Sequence, residues 1–327
     1  MKVLVTGGAG YIGSCAAKHL LDAGHQVDVF DSMELGHVEA LDRRARLIVG
    51  DLRREGEIME AMRASKPDAV MHFAAYALVG ESSANPGKYF RNNDVGGVNL
   101  AEAMRDCGVK RIVFSSTCAT YGQPDSMPIT EDTPQRPTNP YGESKLMFEK
   151  MLGWYQRIHD FRPVFLRYFN ACGAEGELGE DREIETHIIP NVLRVPLGRK
   201  DRVEIFGDDY RTPDGTCVRD YVHISDLARA HLMALESDFC GALNLGTGRG
   251  FSVRQIVEAA RRVTGHPIPA IVSPRRPGDP DELVADPSKA FATLGWKAEW
   301  TDPEKIIASA WTWHKAHPFG YAGKRDA

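Results

Sequence analysis

Thr6-Gly-Gly-Ala-Gly-Tyr-Ile-Gly13 sits between an apolar run, Lys2–Thr6, and a helical pattern, Tyr11–Ala23, that stops at Gly24. The run reads as a strand and the glycines as the turn into the helix. Glycine there permits a tight bend and lets backbone N–H groups and the helix N-terminus approach a pyrophosphate. Glycines at Gly7, Gly10 and Gly13 can also form a plain turn, so the neighbouring sequence decides. Gln26–Asp31 reads as the next strand, and Asp31 stands eighteen residues past Gly13. That spacing suits the acid that binds a ribose 2′-hydroxyl. The segment Gly7–Gly13, with Tyr11 and Ile12, therefore reads as a dinucleotide loop. An acid at Asp31 repels a 2′-phosphate and favours NAD over NADP.

Working outward, Arg46–Gly50, Ala69–Ala74, Arg111–Ser116 and Pro163–Phe169 are further short apolar runs. Helical patterns near Glu55–Ala64, Lys88–Asp106 and Tyr141–His159 separate them. Nearly continuous apolar runs alternating with helices imply strands covered on both faces of a parallel, doubly wound sheet. After Asn170 the texture changes to glycine- and acid-rich sequence at Ala174–Glu185. Beyond it, Val203–Phe206 reads as a strand, Thr212–Val218 as a loop and Asp226–Glu236 as a helix. Gly241–Gly246 reads as a strand that rejoins the main sheet. Ser252–Thr264 is helical, Ser273–Pro280 is a Pro/Arg-rich loop, and a last helix lies near Pro303–His314. The expected architecture is α/β, a Rossmann-type sheet with a smaller C-terminal α/β substrate lobe. Residues 1–170, with 216–246 returning, form the NAD-binding part; 171–215 and 247–327 form the lobe.

Composition narrows the function. A chain of 327 residues with 43% hydrophobic and 26% charged content can bury a sizeable core as an ordinary globular protein. A formal net charge of −5 with no basic run offers no footprint for nucleic acid. No stretch approaches the roughly 18 apolar residues of a membrane helix, and no signal-peptide pattern precedes the first strand. Six scattered cysteines form no Cys-x-x-Cys pair, so free thiols in a reducing compartment are expected rather than disulfides or zinc. A cytoplasmic protein with no metal site is the expectation.

Several chemistry-bearing residues fall at carboxyl ends of the expected strands, where the ligand crevice of such a sheet forms. Asp51-Leu52 follows the third and Phe73-Ala74-Ala75 the fourth; Asp51 can equally cap a helix. Asn92-Asn93 can line the nicotinamide side or simply lie on a helix surface. Ser115-Ser116-Thr117 ends the fifth strand, where hydroxyls can act on a ligand or satisfy backbone groups. Tyr141-Gly-Glu-Ser-Lys145 places a phenol and an ammonium four residues apart on one helical face. Lys145 next to Tyr141 would favour the phenolate, a base usable near neutral pH. Chance can supply the Tyr-x-x-x-Lys spacing; its position downstream of Thr117 gives it a catalytic reading. Arg219 and Arg275-Arg276 can clamp a diphosphate or be solvated surface groups. Phe206 can offer a flat face to a base or pack in the core.

Together these residues resemble the extended short-chain dehydrogenase/reductase family, most closely its UDP-glucose (UDP-galactose) 4-epimerases. The resemblance runs through Thr6–Gly13, Asp31, Asp51-Leu52, Phe73-Ala-Ala, Val79-Gly-Glu-Ser82, Asn92-Asn93 and Phe114-Ser-Ser-Thr117. It continues through Tyr141–Lys145, Arg167-Tyr-Phe-Asn170, Asp214–His223, Asn244–Gly248 and Arg275–Asp279. It implies NAD contacts from the glycine loop, Asp31, Asp51, Leu52, Phe73, Ala74, Ala75, Asn92, Ser115, Tyr141, Lys145 and Tyr168. It implies UDP-hexose contacts at Thr117, Asn170, His187, Phe206, Arg219, Arg276 and Asp279, and a homodimer made by the helices near Lys88–Asp106 and Tyr141–His159. Tyr141, Lys145 and Thr117 would be catalytic.

The chain departs from the family pattern in places. Thr117 replaces the usual serine and Ala77 a lysine found in some members. His187 replaces an asparagine, and Leu283 falls near a gate residue that is bulky in hexose-only members. Epimerases of N-acetylated sugars, pentoses or uronates therefore stay open as alternatives. Related 4,6-dehydratases carry Asp-Glu after the catalytic threonine; Cys118-Ala119 here cannot supply that acid and base. A non-catalytic NAD-sensing protein on the same fold could dispense with the hydroxyl, tyrosine and lysine, all of which are present.

Overall fold

The computed structural model describes residues 1–276 and 278–321; Pro277 of the Arg275–Asp279 motif and the end of the 247–327 segment lie outside them. The first half runs β1 (Lys2–Thr6), α1 (Tyr11–Asp22), β2 (Gln26–Asp31), β3 (Arg46–Val49), α2 (Glu55–Ser65), β4 (Ala69–His72), α3 (Val79–Ala84) and α4 (Pro86–Tyr89). It continues with α5 (Gly96–Asp106), β5 (Arg111–Thr117), α6 (Pro140–His159) and β6 (Arg162–Tyr168). The second half runs β7 (Asn170–Cys172), α7 (Ile188–Leu193), β8 (Val203–Phe206), β9 (Val218–His223), α8 (Ile224–Glu236) and β10 (Gly241–Leu245). Then come β11 (Gly250–Ser252), α9 (Val253–Thr264), β12 (Ala270–Ser273), β13 (Glu282–Leu283), α10 (Ser288–Leu294) and α11 (Pro303–Ala316).

Seven strands form one sheet in the order β10-β6-β5-β4-β1-β2-β3, with every ladder parallel. Strand order reverses between β1 and β4, the switch point where such sheets bind ligands. Alternation along β1 sends Val3 and Val5 into one buried cluster with Cys15, Leu20 and Leu227. Leu4 goes to the opposite cluster with Ile58, Leu100 and Phe148. Helices α1 and α8 thus cover one face, and α2, α5 and α6 the other. A third cluster joins α7, α9 and α11 through Ile189, Ile256 and Ile307. Beside it, β9 holds β7, β11 and β13, and β12 pairs with β8.

Local chemistry explains the ends of the helices that matter below. Asn139 Oδ1 accepts from the Gly142 amide at 2.9 Å and Pro140 opens α6, while Asp160, left-handed at φ 56°, closes it. A capping box between Ser252 and Gln255 starts α9. The helix expected over Lys88–Asp106 is interrupted. A π-helical turn occupies Phe90–Val95, where buried Asn93 bonds the Tyr76 amide at 3.0 Å and Ser144 Oγ at 2.9 Å. Tying one residue to two outside segments widens the turn. The loop expected over Thr212–Val218 ends where β9 begins, and Ser273 belongs to β12. Among the described residues no helix is long and apolar enough to cross a membrane.

Candidate functional site

The glycine loop lies at the switch point. Gly7 has φ +73°, and a Cβ there would stand 2.4 Å from the Ala74 nitrogen; one on Gly13 would stand 2.2 Å from the Gly7 oxygen. Only glycine fits at either position. Gly10 caps α1 with no side chain across its first turn, which leaves Tyr11 and Ile12 at an N-terminus open to an anion. Phe73 and Ala74 amides both donate to the Thr6 carbonyl, at 2.8 and 3.1 Å, so the Phe73–Ala75 turn walls the loop. Asp31 Oδ2 accepts from the Ala9 amide at 2.9 Å and Oδ1 from Met33 at 3.0 Å. Burial pushes its pKa up against those bonds, yet the carboxylate keeps lone pairs free at the loop. A cradle that a Cβ would fill, an uncapped helix start and an acid ending β2 fit a dinucleotide.

Asp51 does not cap α2, whose N-cap is Arg54. Its carboxylate accepts the Arg53 amide at 2.8 Å and pairs with the Arg53 guanidinium at 2.6 Å; burial opposes its ionisation and Arg53 outweighs that. Leu52 is buried under α5. Asn92 donates to Asn93 at 3.0 Å, and of the two it is Asn93 that is buried.

Strand β5 and helix α6 bring the next group together. Ser115 Oγ bonds the Tyr168 hydroxyl, and its carbonyl accepts Lys145 Nζ at 2.9 Å. The lysine is buried beneath the Phe114 ring, 4.7 Å from its centroid. Burial lowers its pKa to about 7 despite attraction from Asp94 and Glu149. Tyr141 stands in the first turn of α6. Burial and neighbouring Tyr168 push its phenol up, while the Thr117 hydroxyl and the charge of Arg182 pull it down. Tyr141 and Lys145 both lie on α6, four residues apart, but the ammonium's hydrogen bond goes to Ser115. Thr117 Oγ1 also accepts the Ala119 amide at 3.1 Å. Sequence reasoning passed over Asp94. Neither of its buried carboxylate oxygens has a partner among the described residues, and burial raises its pKa to about 7 against the pull of Lys145.

The second half supplies cations. Arg219, buried in β9, donates to Asp279 and to the Pro280 carbonyl at 2.9 Å, and Asp279 also accepts from Tyr210 at 3.1 Å. The charge of Arg219 reaches Cys118, beside Thr117. The Arg276 guanidinium lies over the Phe206 ring at 4.1 Å, so Phe206 presents a face rather than disappearing into the core. Leu283 pairs with Arg219 across the strands. Asn170, in β7, is half-buried opposite Tyr221. His187 Nδ1 sits 2.9 Å from Glu180 and 3.1 Å from Glu185. Burial lowers its pKa, but Glu180 and Glu185 overcome this and raise it to about 9. Burial opposes ionisation of Glu180, which His187 and Arg182 hold below its usual range. The two acids were missed because their importance lies in burial, which the local sequence does not announce.

The NAD dependent epimerase/dehydratase family matches residues 3–246, and the chain belongs to it. A UDP-glucose 4-epimerase of Streptococcus mutans is 53% identical over 98% of this chain and 99% of its own. A crystal structure of a UDP-glucose 4-epimerase superposes with a TM-score of 0.95 at 47% identity, covering 98% of this chain and 99% of the other. The UDP-glucose 4-epimerase from Bifidobacterium longum in complex with NAD+ and UDP superposes at 0.94, with 40% identity over 98% and 100% of the two chains.

Proposed function

We propose that this chain is an NAD-dependent UDP-glucose 4-epimerase, interconverting UDP-glucose and UDP-galactose through a 4-keto sugar. The observation that carries the reading is the junction of β5 and α6. There the Thr117 hydroxyl draws down the pKa of the buried Tyr141 phenol, and Lys145 is anchored on Ser115, at the same carboxyl end of the sheet as the loop where only glycine fits. Residues 1–170 with 216–246 hold the cofactor; 171–215 and 247–327 hold the nucleotide sugar. Gly7, Gly10 and Gly13 with Asp31, Asp51, Ser115 and Tyr168 form the cofactor's contacts. NAD, when bound, takes up and returns the hydride of sugar carbon 4.

Tyr141 removes the proton from the sugar 4-hydroxyl, and Thr117 relays it. Thr117 and Arg182 work against the burial that would keep the phenol neutral, and Lys145, titrating near neutrality, adds charge when protonated. Arg219, Arg276, Asp279, Phe206, Asn170 and His187 hold the UDP while the keto sugar turns its other face. Firm hold on the diphosphate and loose hold on the hexose suit inversion at one carbon. Cys118, whose thiol burial pushes up to about 12, and Ala119 supply no acid–base pair for elimination.

Leu283, smaller than an aromatic gate and held beside Arg219, leaves UDP-N-acetylglucosamine as a second sugar. The chain also dimerises on α5 and α6 in this reading. Val98 and Met147 are exposed there, with Trp154 at 59% and Ile158 at 64%, an apolar face that a second copy would cover. Its six free cysteines suit a reducing cytoplasm, with galactose metabolism as the setting. Incubating the protein separately with UDP-glucose, UDP-N-acetylglucosamine, UDP-xylose and UDP-glucuronate, with NMR of products, tests the reading. Epimerisation of UDP-glucose that disappears in Tyr141→Phe is expected. No turnover of any of the four by the wild type, or full turnover by Tyr141→Phe, sinks it.

A further inference from the structure

Outside the site above, the described residues assemble one other set of soft and borderline metal donors. Cys15 and His19 lie four residues apart on α1, one turn along the same face. Glu175 reaches them from a tight turn closed by paired backbone bonds with Leu178, at 2.8 and 3.0 Å. Cys15 Sγ is 3.5 Å from Glu175 Oε2, and His19 Nε2 is 3.0 Å from the same oxygen. All three donor atoms fall within 4.8 Å of one another.

We propose that Cys15, His19 and Glu175 form a zinc-type cation site that fastens helix α1 to the turn after β7. Tetrahedral zinc, with bonds of about 2.3 Å to sulfur, about 2.1 Å to nitrogen and about 2.0 Å to oxygen, sets sulfur and oxygen roughly 3.5 Å apart, and nitrogen and oxygen about 3.3 Å. The donors already stand near those separations. A thiolate, an imidazole and a carboxylate select zinc-like ions over magnesium or calcium. Three protein ligands leave the fourth position to water. That side is open, since the His19 and Glu175 side chains are 23% and 26% exposed while Cys15 is fully buried.

Binding releases the Cys15 thiol proton to solvent as the sulfur–metal bond forms. The site joins α1 to the second half where Tyr11 already donates to the Gly173 carbonyl at 2.6 Å. Its effect falls on stability rather than on proton transfer.

The test uses the full-length protein, stripped with EDTA, exposed to Zn²⁺ or Co²⁺ and dialysed. Elemental analysis should find about one zinc per chain, and the thermal midpoint should rise with the metal, as ligand binding to the folded state requires. The Co²⁺ form should show the sulfur-to-cobalt charge-transfer band of a thiolate ligand. Cys15→Ala should abolish that band, and His19→Gln, which keeps a hydrogen-bond donor toward Glu175, should weaken metal retention at least about tenfold. Wild-type protein that retains no zinc overturns the proposal. So does a cobalt band that survives Cys15→Ala, which would assign it to another thiol, or retention unchanged in His19→Gln.

Discussion

His187 gives the most searching check on the electrostatics of the second half. Its imidazole is gripped by Glu180 and Glu185, faces Arg182 on the same segment, and titrates near 9 instead of 6.5. A group whose folded pKa is raised contributes stability that is complete below the unfolded value and disappears as pH climbs through the folded one. From 6.5 and about 9, linkage gives about 2.6 kcal/mol at neutral pH as an upper value. The side chain is 34% exposed, and solvent screening reduces this to about 1–2 kcal/mol. Lys145 runs the other way over the same range. Its lowered pKa lets the unfolded chain bind the extra proton between about 7 and 10.5, so its share of stability rises with pH.

The wild type alone would blend the two, and the difference from His187→Gln separates them. Urea unfolding of both proteins should give a gap about 1–2 kcal/mol wider at neutral pH than at about pH 10. Proton NMR of the imidazole should place its midpoint near 9. If the diphosphate rests on this cation, KM for the nucleotide sugar climbs through the same pH window in the wild type and stays flat in the variant. An imidazole titrating at or below 6.5, or a stability gap that ignores pH, would refute the charge assignment.

Gly13→Ala would drive a methyl to 2.2 Å from the Gly7 oxygen; NAD released on denaturing the purified protein should fall at least about tenfold, because the pyrophosphate loop must shift. Arg167→Met strips the cation from buried Glu149, to which it is bonded at 2.6 Å. Urea unfolding should show a loss of about 3–5 kcal/mol, the usual result of orphaning a buried charge. Leu283→Tyr fills the space beside Arg219 and should cut turnover of UDP-N-acetylglucosamine relative to UDP-glucose by about 10-fold or more, read as a ratio of kcat/KM.

Residues whose surroundings are their sequence neighbours were readable in advance. Strands β1, β2 and β4 to β6 are short apolar runs because helices cover both faces, so composition alone marked them. The glycine loop was readable because the turn, the helix start and Asp31 all belong to one local unit. By contrast β9 carries Arg219, Asp220 and His223, all buried, and its polar sequence concealed a central strand. Asp220 is kept there by amides of Thr247, Gly248 and Ala285, far along the chain. The same distinction explains the site. The place of Tyr141 in the first turn of α6 follows from Asn139 and Pro140 just before it. Its charge does not, because burial, Thr117 from β5, Tyr168 from β6 and Arg182 from beyond β7 decide that together. Lys145 was expected to serve its neighbour on the helix, yet its hydrogen bond goes to Ser115, thirty residues earlier. Spacing can thus name a base and a cation, but only packing assigns their protons.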